Sequence, residues 1–362
     1  MLVRSPAMAV VKPFRALRYD EAVAGPLESL VAPPYDVISP EQRDELRARS
    51  AHNVVHLTLP DDEADAAALL ADWRAEGVLV EEPPAVWALA QDYVGPDGVA
   101  RRREGLVASL KVEPYGTRTV LPHERTHAGP KEERLRLLRA TEVQLEPIFL
   151  LYDAPPAAAL PDREPDLAVD GAQLWRLDDP ALVRAFDDRQ LLIADGHHRY
   201  ETALAFHEHE RTPASAQLPV VLVSTEDPGL EIFPTHRVFD TPRRLEGDRQ
   251  EIDDPKSALA ALTGEWAAVV EVTHQGAWIV RGEEGLLDVQ LVDSLGHDGI
   301  AYTPDAEEAL RRVSEQEAAV AYLLRPTPIA DVFRSARAGE VLPQKTTYFF
   351  PKLISGLLFH PL

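Results

Sequence analysis

The residues of this chain able to do chemistry gather in a few polar clusters far apart in sequence. The first is Leu191-Leu192-Ile193-Ala194-Asp195-Gly196-His197-His198-Arg199-Tyr200-Glu201. Its four apolar residues read as a buried strand, Asp195-Gly196 as a turn, and Tyr200 to His209 as a helix rich in Ala, Leu and Glu. A strand that ends in a glycine turn at a helix start directs main-chain N–H groups and a positive dipole end toward one point. With Gly196, His197, His198 and Arg199 there, the segment predicts an anion site, above all for phosphate. Asp195 stands beside it, able to hold a metal ion or a proton.

The second cluster, Leu121 to Arg134, sets His123, Glu124, Arg125, Thr126 and His127 ahead of Gly129-Pro130 and a charged helix. Loops carrying several ionisable groups are where chemistry is often placed. Glu124, flanked by His123 and Arg125, suits a general base or a metal-binding carboxylate. The competing reading is a solvated loop whose charges pair with one another. A third cluster, Leu342 to Lys352, contains Lys345-Thr346-Thr347. It lacks the glycines of a P-loop, so it is either an anion-binding lysine with two hydroxyls or the polar approach to an aromatic strand. Pro234-Thr235-His236-Arg237 adds another His-Arg pair that could meet phosphate. Asp36 and Asn53 read as turn and cap residues. His207 and His209, two apart on a helix, do not share a face. No HExxH, CxxC or nucleophile-elbow serine occurs.

These clusters need elements to position them. A helix is predicted over Pro40 to Arg49 after Ser39, a good N-cap followed by Pro, then a strand over Val54 to Leu59. An alanine-rich helix over Ala64 to Glu76 ends at Gly77. Val86 to Tyr93 and Gly105 to Val112 read as a hairpin around Gly95-Pro96-Asp97-Gly98. Further on, a helix is expected over Lys131 to Ala140, strands over Pro147 to Tyr152 and Pro219 to Ser224, and a short helix over Ala181 to Asp188. Pro155 to Asp166 reads as a loop. Nearer the C-terminus, helices are predicted at Pro255 to Leu262, Asp305 to Arg312 and Ile329 to Ala338. Strands are predicted at Val269 to Thr273, Ala277 to Arg281, Ala319 to Leu324 and Thr347 to Phe350. The class is mixed α/β or α+β, in three regions at about 1–115, 116–245 and 246–362.

Composition narrows the function. The 362 residues suffice for two or three domains, and a net charge of -23 argues against broad nucleic-acid binding. Without cysteine there is no disulfide framework, thiolate metal site or thiol nucleophile. No signal peptide or membrane-length apolar run is present, so a cytoplasmic protein acting on a small molecule is expected.

Five motifs then stand in order: Val-Ala-Pro-Pro-Tyr-Asp-Val-Ile (31–38), Pro-His-Glu-Arg-Thr with Pro-Lys-Glu-Glu-Arg-Leu (122–135), Ala-Asp-Gly-His-His-Arg-Tyr-Glu-Thr-Ala (194–203), Pro-Thr-His-Arg (234–237) and Pro-Gln-Lys-Thr-Thr-Tyr-Phe-Phe-Pro-Lys (343–352). Nearly end to end, this set resembles the DUF1015 family of bacterial and archaeal proteins. The order of the Pro-His-Glu loop, helix, strand and Asp-Gly-His-His-Arg is also similar to the ParB/sulfiredoxin-like superfamily, especially its free-serine kinases.

That second resemblance implies a nucleotide-binding core, flanked by an N-terminal α/β region and a C-terminal α/β extension that contributes Lys345-Thr346-Thr347. Gly196 to Arg199 would cradle phosphate, Asp195 would help to hold Mg²⁺, and Glu124 would act on a substrate hydroxyl. The cysteine of sulfiredoxins is replaced by His197, so sulfinic-acid reduction is excluded. The basic helix-turn-helix of ParB proteins is missing.

The expected activity is a Mg-dependent small-molecule kinase or phosphotransferase that uses ATP, ADP or pyrophosphate, with free L-serine as the implied acceptor. Glu124, Asp195 and His198 are its catalytic candidates. Gly196, His197, Arg199, His123, Arg125, Thr126, His236, Arg237, Lys345, Thr346 and Thr347 are its phosphate or nucleotide ligands. A nucleotide-binding switch without turnover and a phosphohydrolase are the alternatives.

Overall fold

The computed structural model describes residues 9–124, 129–264 and 266–362. Arg125 and Thr126 therefore lie outside the described residues. The larger of two main sheets has nine strands. They are β1 (Val11–Lys12), β2 (Val86–Val94), β3 (Ala100–Lys111), β4 (Val120–Leu121), β5 (Ile148–Tyr152), β6 (Leu167–Val169), β7 (Ala172–Leu177), β8 (Leu191–Asp195) and β9 (Gln217–Ser224). Their order is β4-β8-β5-β9-β3-β2-β7-β6, with β1 on β3. The β4–β8 and β5–β9 pairs are parallel, and the others antiparallel. The chain is mixed α/β, and strands from both sides of residue 115 share this sheet through main-chain hydrogen bonds.

Local sequence accounts for many of these elements. At helix α1 (Pro40–Arg49) the Ser39 hydroxyl accepts from Gln42 N at 3.2 Å, and the Gln42 side chain accepts from Ser39 N at 3.0 Å. That reciprocal cap is the one expected before Pro40. The β2–β3 hairpin turns at Gly95 to Gly98 and closes on Val94 opposite Ala100. β5 is apolar and buried throughout because the sheet is covered on both faces. Trp87, Phe149, Leu192 and Val221 pack on one face, and Ile148, Leu150, Ile193 and Val220 on the other. Helix α2 (Glu63–Ala75) packs on α3 (Gly129–Thr141), and α3 on α4 (His197–Glu210).

One expected element is corrected. Val54 to Leu59 is not a strand, because Val55–Thr58 makes a single helical turn. The Asn53 carbonyl oxygen accepts from Val55 N at 3.0 Å, while its amide donates to Ser29 O at 2.8 Å and Val31 O at 3.1 Å. Through its side-chain oxygen and amide, Asn53 thus fixes the turn from just ahead of its N-cap residue, Val54. Val54, Val55 and Leu57 are fully buried in the surrounding core, and that packing overrides their β preference.

The second sheet has six antiparallel strands: β10 (His236–Phe239), β11 (Asp248–Ile252), β12 (Trp266–Thr273), β13 (Gly276–Glu284), β14 (Ile300–Thr303) and β15 (Val320–Leu323). Their order is β11-β13-β12-β15-β10-β14. Helices α5 (Pro255–Ala261) and α6 (Ala306–Ser314) pack on it, and α7 (Ile329–Ala338) leads away. After α7 the chain returns to the first body. Tyr348–Phe349 pairs with Ile232–Phe233, Ser355 with Ala32, Phe359 with Leu17, and His360 with Gln144. Phe349 and Phe359 are fully buried there, each stabilising the closure by about 1.5–3 kcal/mol. Among the described residues no helix is long and apolar enough to cross a membrane.

Candidate active site

Sheet register brings the first two clusters together. β4 and β8 are parallel, with Leu121 opposite Leu192. Three residues further along stand Glu124, just past the end of β4, and Asp195, the last residue of β8. The third cluster joins them through main-chain contacts: Glu124 bridges Leu342, and Leu342 N donates to His123 O at 2.9 Å.

The turn into α4 depends on Gly196, which has φ 96° and ψ 29° at the helix N-cap. A Cβ there would lie 2.6 Å from Ile148 Cγ2, so glycine is needed for both conformation and space. The turn aims the positive end of α4 at the site.

Asp195 lies between two cations. Arg199 Nη2 donates to Oδ2 at 2.7 Å, and the Lys352 ammonium donates to Oδ1. Burial opposes the charge, but Lys352 and Arg199 outweigh it and hold the carboxyl below its usual range. Magnesium at Asp195 does not fit this arrangement. Both oxygens are committed, and a divalent ion would face two positive groups. Among the described residues no cluster of three or more His, Asp or Glu could hold a metal.

Arg199 is built into the turn. Its guanidinium also donates to Pro147 O, and the buried Glu146 carboxylate acts on it. Burial works against the Arg199 charge, yet Glu146 and Asp195 raise its pKa overall. Glu146 accepts from Tyr35 N at 3.1 Å and from the Ser355 hydroxyl, so Arg199 links the N-terminal Pro-Pro-Tyr-Asp loop to Asp195.

His123 and His197 are buried as well. His123 is 0% exposed, and burial pushes its imidazole down to about 4. Its Nδ1–H donates to Ile193 O at 2.7 Å, and Nε2 accepts from the Thr347 hydroxyl at 2.9 Å. His197 accepts from His123 N at 3.4 Å, and the two rings meet edge to face at 4.8 Å. Burial and the neighbouring His123 hold His197 well below the usual imidazole range. This neutral pair ties the Glu124 loop to the start of α4. His198 is half-buried beside it.

His236 and Arg237 also make internal hydrogen bonds. His236 Nδ1 accepts from Leu324 N at 3.1 Å within the second sheet. Arg237 is 3% exposed and donates to Thr235 O, to Gln344 O at 3.2 Å and to Lys345 O at 3.0 Å. It fixes the turn in which Lys345 adopts φ 58°. The Thr346 hydroxyl donates to Pro343 O at 2.6 Å, so Thr346 and Thr347 both spend their hydroxyl protons inside the protein.

Lys345 remains exposed beside Glu124. Burial raises the Glu124 carboxyl, while the Lys345 charge and its main-chain N–H pull it back. The site is therefore a mostly buried carboxylate beside two lysines, Lys345 and Lys352, at the positive end of a helix. Sequence reasoning missed Lys352 and Glu146. Lys352 stood in a quoted motif, but nothing local marked its partner in Asp195.

The family model described as "Protein of unknown function (DUF1015)" matches residues 11–273. No curated protein matches. A solved free serine kinase in complex with AMP is similar at 17% identity and TM-score 0.39, over 66% of this chain and 89% of that one. A conserved hypothetical protein from Pyrococcus furiosus is similar at 15% identity and TM-score 0.37, over 66% and 92%. SbnI from Staphylococcus aureus, with a C-terminal truncation, is similar at 13% identity and TM-score 0.39, over 68% and 85%. The matched residues take in the Pro-Pro-Tyr-Asp loop, Glu124, Asp195 to Arg199 and Arg237, and the chain belongs to the DUF1015 family.

Proposed function

We propose that this site transfers a phosphoryl group from a nucleotide or pyrophosphate to the hydroxyl of a small molecule. The observation that carries the reading is Glu124, a carboxylate raised by burial and set against Lys345, Lys352 and the start of α4. Phosphoryl transfer asks the protein for in-line positioning and charge neutralisation. The two ammonium groups and the helix end supply the second. Glu124 accepts the proton of the acceptor hydroxyl as its oxygen bonds to phosphorus, and the leaving phosphate departs with the electrons of the broken P–O bond. Asp195 holds Lys352 in place, and no step is assigned to a metal.

Free L-serine is the proposed acceptor on the resemblance of motif order alone. The test is phosphoserine formation from serine with ATP, ADP or pyrophosphate, beside Glu124→Gln. Product from the natural chain and none from the variant support the reading. Full activity in the variant removes Glu124 from the mechanism, and failure of every donor to bind removes the phosphotransferase.

A further inference from the structure

The second sheet has one face covered and the other half open. Val270, Ile279 and Ala321 pack beneath helices α5 and α6. On the opposite face Val289 and Val292 of the short helix Asp288–Asp293 share a core with Val269 and Val280. Beyond that core lies a cleft of about 920 Å³. Register lays a row of side chains across this face. Glu251 of β11 stands opposite Trp278 of β13, Trp278 opposite Glu271 of β12, and Glu271 opposite Tyr322 of β15. The loop from Asp240 to Gly247 crosses the same face. Arg243 O accepts from the Tyr322 hydroxyl at 2.8 Å, and Leu245 O accepts from Arg249 Nη1 at 3.3 Å. Glu271 is 2% exposed and bound by the Arg249 guanidinium. A buried ion pair is seldom more stabilising than apolar side chains of the same volume, so packing alone does not account for this charged floor.

The charges lining the cleft sort by place. Arg249 and Glu271 pair with each other, Glu317 pairs with Arg311 at 3.2 Å, and His274 lies in the β12–β13 turn. Four charged residues are left without an ion-pair partner among the described residues. Asp240, Arg243 and Arg244 follow β10 and are net positive, whereas Glu251 stands on β11. The Arg243 guanidinium lies 6.0 Å over the Phe239 ring of β10. In the order β11-β13-β12-β15-β10 that strand is four spacings from β11, or about 19 Å before the side chains reach inward.

We propose that this cleft binds a short peptide with free ends, its carboxylate held by Arg243 and Arg244 and its ammonium by Glu251 beside the Trp278 indole. An extended chain of about three to five residues spans the gap, and the volume suits a ligand of that size. A free amino acid is too short to meet both ends. A ligand of one charge meets its own sign at one of them. No residue of the Glu124 site lines the cleft, so the proposal goes beyond the phosphotransferase reading and does not depend on it.

The experiment is native mass spectrometry of the full chain with an equimolar pool of tetrapeptides, with the same pool N-acetylated or C-amidated, and with free alanine. The natural chain is expected to retain one tetrapeptide from the free pool. Blocking either end, or substituting Glu251→Gln or Arg244→Gln, is expected to lower that adduct at least fivefold, and Glu124→Gln to leave it unchanged. Both cleft variants alter exposed side chains, so the fold is kept. The proposal is overturned by the absence of a tetrapeptide adduct or by equal retention of free alanine. An adduct that tolerates blocked ends or both cleft variants, or that Glu124→Gln removes, overturns it as well. Phosphoserine formation is measured separately and decides the phosphotransferase reading alone.

Discussion

Glu124 and Asp195 are both mostly buried carboxylates at the same end of two paired strands, yet their surroundings push them in opposite directions. Glu124 is raised by burial, which suits a group that must take up a proton near neutral pH. As a base it works ionised, so kcat/KM should fall as pH drops through a value above the ordinary glutamate range. Glu124→Gln should lower kcat about 10²–10⁴-fold and keep donor binding, and a pH–rate profile with binding measured alongside checks both points. Asp195 is held low by Lys352 and Arg199. Its contribution to stability is present above the ordinary aspartate pKa and is lost as pH falls through its depressed folded value. Asp195→Asn should cost about 3–5 kcal/mol in denaturant unfolding, because it leaves the Lys352 ammonium without its counter-charge and Arg199 with Glu146 alone. The polar clusters were visible as letters in the sequence, but their division of labour was not. His123, His197, Arg199, His236 and Arg237 have the composition of a phosphate site, and the structure buries all five and ties them to internal hydrogen-bond partners. Burial is a property of what packs above a residue, and no neighbour along the chain announces it.

At the scale of elements, the strand, glycine turn and helix of residues 191–210 could be read directly, since periodicity and Gly196 both declare them. The structure adds the parallel pairing of β4 with β8, which brings the Glu124 loop and Asp195 to the same end of the two strands. Gly196→Ala should cost about 1–3 kcal/mol for the left-handed backbone alone. The Cβ at 2.6 Å from Ile148 Cγ2 should also displace the start of α4. Thermal unfolding reports the first effect, and a weakened affinity for ADP or pyrophosphate reports the second. The helix turn at Val55–Thr58 shows where local reading ended. An apolar, β-branched run suits a strand, but Asn53 reaches Ser29 and Val31, more than twenty residues back, to hold it as a helical turn.

Across the whole molecule, the site draws Glu124, Asp195, Lys345 and Lys352 from segments far apart in the chain, and the second sheet lies between the acids and the lysines in sequence. Mixed class and strand content were legible, because alternating and continuous apolar runs report them. The return of the last segment onto Leu17, Ala32 and Gln144 was not, because pairings of such separation leave no local pattern. Ending the chain after Glu340 removes both lysines together with Phe349 and Phe359. Such a chain should lose its single cooperative unfolding transition and all donor binding, as calorimetry and a thermal melt can establish. The same returning segment sets the timing of assembly. While the polypeptide is being made, the acidic half of the site emerges well before the cations that balance it, so Asp195 waits with only Arg199 beside it. The site is therefore completed in one late step, when Lys345 and Lys352 arrive.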